Sequence, residues 1–354
     1  MKILHLQTEL NKTCGITKTI LLLAKNSQKG IQHNVFTLGG DNISSFINNG
    51  ISVQVINGNK NSLLDSLRIF YKLFKYCKKE KIDILHAHHR YFDFLSFVLG
   101  KFLRIKKVTS VHSKVYGQKL FSYKSPKLIA VSNSIKNHLM KNYNIEEKRI
   151  TLINNFVEDN GVTSLSHNSN LLIPRDQKII LFVGRFSREK GVDILVRAFR
   201  LLQKNNEKIF LVMIGTGEEE LFLKSFIAEN KLNALTLVPQ EDVSRYYKSA
   251  DIIILPSRVD PFPLVMLESG MMAKPFIGGG VDGIGEFIEH DQNGLLVEPE
   301  NVEELAAAIK KLLNDPVKAS YLGRNLYEKV KLNCSAEKII PKYLGLYKEV
   351  LADG

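Results

Sequence analysis

Short runs of β-branched and aliphatic residues alternate with longer stretches of helical periodicity along this chain, and the alternation runs twice. Strand candidates in the first half are Lys2–Leu6, His33–Leu38, Ile51–Ile56, Asp83–His88, Lys106–His112, Lys127–Ser132 and Arg149–Asn154. Helical patterns lie between them at Thr17–Lys29 and Leu63–Lys79, the second with Leu64, Leu67, Phe70, Tyr71 and Phe74 on one face. Residues 156–177 break the pattern with the polar, Gly- and Pro-containing composition of a linker. Alternation then restarts, with strands at Lys178–Val183, Ile209–Ile214, Ala234–Val238, Asp251–Leu255, Pro275–Ile277 and Gly294–Val297. Helices are expected at Val192–Gln203, Glu218–Glu229, Asp242–Lys248, from about Pro263, and at Val302–Leu313, Tyr321–Lys331 and Ala336–Leu351. Strand–helix–strand alternation predicts mostly parallel sheets covered by helices, here two of them in an α/β chain. The expected division is residues 1–160, joined by 336–354, and residues 161–335. In open sheets of this kind a ligand sits beyond the carboxyl ends of the strands, so the site is expected in a cleft between two facing sheets.

The 354 residues suit two domains of ordinary size, and 44% apolar with 24% charged residues is a globular profile. No uninterrupted apolar stretch approaches 18 residues, and the apolar start is too short for a signal-peptide core. Three widely spaced cysteines build no disulfide framework, so a reducing cytoplasm is the default. The net charge of +13 is uneven: residues 1–165 carry 25 Lys and Arg against 10 Asp and Glu, leaving 49 − 25 = 24 basic and 36 − 10 = 26 acidic residues beyond. A basic first half fits an anionic partner, such as a lipid headgroup or a diphosphate-linked acceptor, and equally a solvated lysine-rich surface.

Two stretches carry the chemistry. Ser249–Ser257 reads as a hydrophobic strand, followed by a loop through Asp260-Pro261-Phe262-Pro263 and a helix through Glu268. With Pro263 at the first helical position, the amides of Leu264, Val265 and Met266 point out of the helix start, where the dipole favours a phosphate. Asp260 and Glu268 can accept hydrogen bonds from sugar hydroxyls; taken alone they also fit a helix cap and an exposed helix acid. The second stretch, Leu181–Gly191, is a strand, a turn at Gly184-Arg185 and a helix start with Lys190-Gly191. Arg185 and Lys190 can stabilise a departing diphosphate, although a loop cation is also an ordinary surface residue.

From Val183 to Pro299 the chain resembles the large retaining glycosyltransferase family that builds bacterial surface polysaccharides, whose fold is called GT-B. The resemblance rests on Gly184-Arg185 with Lys190-Gly191, Asp260 with Glu268, and Gly278-Gly279-Gly280 with Glu286. It implies that Arg185 and Lys190 bind a nucleotide diphosphate, Glu268 the ribose, and Asp260 the donor sugar together with the amides of Leu264 and Val265. In the first half Gly15 stands in the family's glycine loop near the donor phosphates, and His112 where a family histidine reaches the donor sugar. The final helix looks like one that crosses back to the first domain. Asp260 replaces the usual Glu, Pro263 a common Gly, Gly285 a frequent Pro, and Ala273 a helix-ending Gly that would need φ > 0, at a cost of about 1 kcal/mol.

The expected function is therefore transfer of a sugar from a nucleotide-diphosphate sugar to an acceptor hydroxyl, with retention implied by the resemblance. The acceptor would be a sugar or lipid-linked molecule, and the protein peripheral on the inner membrane face through Lys75, Lys78, Lys79, Lys81, Lys101, Arg104, Lys106 and Lys107. An epimerase or phosphorylase on the same fold is the rival enzyme class. A nucleic-acid-binding protein is the rival of another kind, disfavoured because no aromatic–basic recognition motif accompanies the charge. No cofactor or metal is expected: His86, His88 and His89 lack a nearby Cys, and no Asp-x-Asp occurs.

Overall fold

The computed structural model describes residues 1–159, 174, 176–204, 208–238 and 243–352. The chain divides into two compact units, Met1–Asn155 with Ala336–Gly354, and Phe156–Ser335. Most of the linker read at 156–177, the boundary expected at 160/161 and the start of the helix expected at Asp242 lie outside the described residues.

The first unit holds seven parallel strands: β1 (Lys2–Gln7), β2 (Gln32–Thr37), β3 (Ser52–Val55), β4 (Ile84–Ala87), β5 (Lys106–Val111), β6 (Lys127–Ala130) and β7 (Ile150–Leu152), in the order β3-β2-β1-β4-β5-β6-β7. The helices are α1 (Gly15–Lys25), α2 (Ile43–Asn48), α3 (Leu63–Glu80), α4 (Arg90–Leu99) and α5 (Asn133–Tyr143). β1 and β4 are covered on both faces and buried almost throughout, their polar side chains His5 and His86 included. Leu4, Leu6, Phe36, Leu85 and Phe92 form one core cluster with Ile69, Leu73 and Cys77 of α3. That last row corrects the face expected for α3. Phe70 and Phe74 flank the core half-buried, but Leu64, Leu67 and Tyr71 are 79%, 60% and 55% exposed. A helix with two adjacent apolar stripes leaves its sequence silent on which stripe meets the sheet.

The second unit holds β8 (Lys178–Val183), β9 (Ile209–Ile214), β10 (Ala234–Leu237), β11 (Ile252–Leu255), β12 (Phe276–Gly279) and β13 (Leu295–Val297), all parallel, in the order β10-β9-β8-β11-β12-β13. Its helices are α6 (Val192–Lys204), α7 (Glu220–Glu229), α8 (Ser244–Ser249), α9 (Leu264–Met271), α10 (Asp282–Phe287), α11 (Val302–Asn314) and α12 (Pro316–Cys334). α12 starts five residues before the expected Tyr321, capped by the Asp315 side chain on the Lys318 amide with Pro316 in the first turn. α9 ends at Met271 with Met272 as its cap, and Ala273 just beyond takes φ 50°, the left-handed conformation considered for it from the sequence. The last helix, α13 (Ala336–Ala352), belongs to the first unit. It buries Ile339, Tyr343 and Tyr347 there, with the Tyr347 hydroxyl 2.7 Å from His86 Nδ1 and Lys127 Nζ 2.6 Å from Glu349. No helix among the described residues is long and apolar enough to cross a membrane.

Candidate active site

In the second sheet β8 and β11 are neighbours whose connections run outward to opposite sides, through β9 and β10 on one and β12 and β13 on the other. Such a switch point opens a crevice at the carboxyl ends of the two strands. The two stretches singled out in the sequence both emerge there. After β8 the chain turns at Gly184-Arg185, and the Gly184 and Phe186 amides donate to Ile214 and Thr216 at the end of β9. A single 3-10 turn, Arg188–Lys190, follows and closes on Gly191 at φ 69°. A Cβ at Gly191 would stand 2.0 Å from the Pro256 carbonyl oxygen, so glycine is what lets the two strand-end loops meet.

The meeting brings Lys190 onto Asp260: Nζ lies 2.5 Å from Oδ2. Asp260 is 3% exposed. Ser257 Oγ also donates to it at 3.4 Å, and its own amide donates to Asp282 Oδ2 at 3.2 Å. Burial pushes the Asp260 carboxyl up, against the pull of Lys190 and Ser257. Arg185 is exposed, and among the described residues no protein group is hydrogen-bonded to its guanidinium. A buried acid held by one lysine, with a second, exposed cation in the same loop, is a site for a ligand that carries both hydroxyls and phosphates.

Pro263 is the cap residue of α9, not its first helical residue, with φ −72° and ψ 138°. The expected anion amides shift accordingly: Leu264, Val265 and Met266 are the first three helical positions, and the first two are half-buried. Glu268, one turn in, accepts a 2.6 Å hydrogen bond from the Tyr247 hydroxyl. Burial, then the nearby Glu268 charge, raises the Tyr247 pKa, so the phenol remains a donor. Glu286, on α10, is exposed.

Sequence reasoning passed over Arg258, inside the quoted stretch. Its guanidinium forks onto Asp193 at 2.8 and 3.0 Å, reaches Glu300 at 2.8 Å and donates to the Arg188 carbonyl. Burial raises the Asp193 pKa, but the fork outweighs it and holds that carboxyl below its usual value. Arg258 thus ties the loop bearing Asp260 to the turn bearing Lys190. Its partner lies 65 residues away, so spacing gave no hint.

In the first unit Gly15 opens α1, exposed, in the connection after β1. His112 directly follows β5 and is half-buried. Of the group His86, His88 and His89 weighed in the sequence, His89 caps α4, while His88 joins a cluster with His5, His33 and His112 because the strand order sets β4 beside β1. His112 Nε2 lies 3.2 Å from His88 Nδ1, His88 Nε2 3.0 Å from His5 Nδ1, and His5 Nε2 2.8 Å from His33 Nδ1. His86 bonds instead to Tyr347 and Ser110, at 2.7 and 2.8 Å. Burial lowers all five pKa values, to about 4 for His33 and His112, and the other three are lowered further by neighbouring histidines of the cluster.

Residues 15–160 match the family described as Glycosyltransferase Family 4, and residues 166–329 that described as Glycosyl transferases group 1. An uncharacterised glycosyltransferase of Methanocaldococcus jannaschii is 27% identical over 297 residues, 76% of each chain. The N-acetyl-alpha-D-glucosaminyl L-malate synthase of Bacillus anthracis is 28% identical over 312 residues, 81% of this chain and 80% of that one. The Anabaena protein HepE, solved in complex with UDP and glucose, superposes with a TM-score of 0.86 at 18% identity over 98% of this chain and 99% of its own. That likeness shows the GT-B fold, with its two Rossmann-like domains.

Proposed function

Because this chain belongs to the group 1 and family 4 glycosyltransferases, we propose that it moves a sugar from a nucleotide-diphosphate sugar to an acceptor hydroxyl, with the donor held at the carboxyl ends of β8 and β11. The observation that carries this reading is buried Asp260 held by half-buried Lys190 at the switch point, with exposed Arg185 in the same loop as Lys190. Arg185, Lys190 and the first amides of α9 take the diphosphate, Glu268 the ribose hydroxyls and Asp260 the sugar. As the sugar–phosphate bond breaks, charge grows on the diphosphate, and fixed cations stabilise that state more than the ground state. By the resemblance, Gly15 contacts the donor phosphates and His112 the donor sugar. Transfer proceeds with retention, without a metal or cofactor, in the making of surface polysaccharide or glycolipid. The sugar named in the Bacillus relative and the UDP named in the Anabaena structure support a nucleotide-sugar donor.

The test is a thermal-shift screen of UDP, GDP, ADP and CDP. The cognate diphosphate at about a hundred times its Kd stabilises by about 2.7 kcal/mol, which raises Tm by about 5–10 °C. A flat response to every diphosphate would overturn the assignment. A sugar nucleotide altered without any acceptor would point to an epimerase.

The face of α3 supports a location. Arg68, Lys72, Lys75, Lys78 and Lys79 border exposed Leu64, Leu67 and Tyr71, and Phe70 stacks edge-on with Phe102, 67% exposed, beside Lys101 and Arg104. We propose that this basic and apolar face rests on an anionic membrane, where lipid-linked acceptors reside. Vesicles with about a third anionic lipid should float the protein at low salt and release most of it at high salt, where headgroup attraction is screened. Equal flotation with neutral vesicles argues against it.

A further inference from the structure

The histidine chain in the first unit ends at Ser27, whose Oγ lies 2.6 Å from His33 Nε2. The same hydroxyl donates to the Leu23 carbonyl at 2.8 Å. Leu23 sits in the last turn of α1, where carbonyls lack an amide partner within the helix, so this donation satisfies an otherwise unpaired acceptor. A hydroxyl has one proton. With that proton on Leu23, Ser27 can only accept from His33, so His33 carries its proton on Nε2. A neutral imidazole has one N–H, which leaves His33 Nδ1 as an acceptor. His5 must then donate from Nε2 and accept at Nδ1, His88 likewise, and His112 donates from Nε2 into His88.

We propose that Ser27, His33, His5 and His88 form a polarised chain of positioning residues that locks His112 as the neutral Nε2–H tautomer and leaves its Nδ1 lone pair as an acceptor. Burial keeps every imidazole in the chain neutral near pH 7. The titratable neighbours packed on it are His86 of β4 and, through His86, the Tyr343 and Tyr347 phenols of α13, which burial holds uncharged. His5, His86 and His88 each bring one ring nitrogen within 4.8 Å of the others, but all six of their ring nitrogens are committed to these hydrogen bonds, so the arrangement is a proton-ordered network and not a vacant ligand set.

The consequence for substrate rests on the placing of His112 at the donor sugar. An acceptor nitrogen there selects a sugar that presents a hydroxyl as donor, and the chain rejects a ligand that offers only an ether or carbonyl oxygen at that point. Nitrogen-15 NMR of histidine-labelled protein between pH 8 and 7, where the first unit is folded, tests the relay directly. His112 is expected to show a protonated Nε2 and an unprotonated Nδ1 throughout. Ser27→Ala, at the half-buried rim, removes the terminal acceptor, and His112 then populates both tautomers; Ser27→Thr restores the single one. A wild-type His112 protonated at Nδ1, or a Ser27→Ala spectrum identical to wild type, overturns the proposal. Turnover is read separately: Ser27→Ala is expected to lower kcat/KM about 5–10-fold, with Thr rescuing it. A tautomer locked as proposed, together with full activity in His112→Ala, would remove His112 from the donor site and leave the relay standing.

Discussion

Replacing Arg185 and Lys190 together by alanine is expected to lower kcat/KM for sugar transfer by about 10³-fold or more, with the protein still folded. Each cation removed from a developing diphosphate charge costs about 1.5–3 kcal/mol, and two such losses multiply in rate. Arg185 is exposed, so its removal alone disturbs no packing and isolates the electrostatic effect. Lys190→Ala also strips Asp260 of its cation. That loss is bounded, because burial already raises the pKa of the carboxyl, which can take up a proton instead of standing charged and unpaired. Initial rates of nucleoside diphosphate release, alongside melting curves, separate the two effects. A folded double variant with wild-type turnover would eliminate the diphosphate site at β8 and β11.

Acidification is expected to unfold the first unit well before the second. His5, His33, His86, His88 and His112 all have folded pKa values below the unfolded value of about 6.5. The folded state therefore prefers each of them neutral. Their contribution is complete above about pH 6.5 and is lost as pH falls from there toward 4. Each group costs about 1.4 kcal/mol per pH unit across that window, so five together approach about 7 kcal/mol at pH 5.5, comparable with the whole stability of a domain. In the second unit His290 is the one histidine among the described residues, and it is exposed. Calorimetry at pH 7.5 and 5.5 should show one transition shifting down steeply and the other moving little. Superimposable traces would mean that the imidazoles are not held neutral.

What the sequence revealed follows physical lines. The central strands of the second unit were legible as apolar runs, as in Lys178–Val183 and Ile209–Ile214, while β2 and β3, QHNVFT and SVQV, showed instead as short β-branched segments between turn residues. α10 escaped because two of its six residues, Gly283 and Gly285, carry no helical preference. α4 escaped because His89, not a serine or aspartate, caps it. α5 carried a readable signal that went unused, the Ser132 hydroxyl accepting from the Ile135 amide. At the candidate site Lys190 and Asp260 stood out through their local pattern. Tyr247, Arg258 and the histidine chain did not, since each acts through a partner brought near only by strand order or loop closure, 83 residues apart for His5 and His88.

The last helix leaves the first unit unfinished for most of the chain's synthesis. Residues 1–155 emerge from the ribosome without α13, and the hydroxyl that meets His86 arrives only with Tyr347, after the whole second unit has been made. The later-made body can therefore reach its native state first, while the earlier one waits with an open apolar seam. Shortening the carboxyl end would therefore injure the opposite end of the polypeptide.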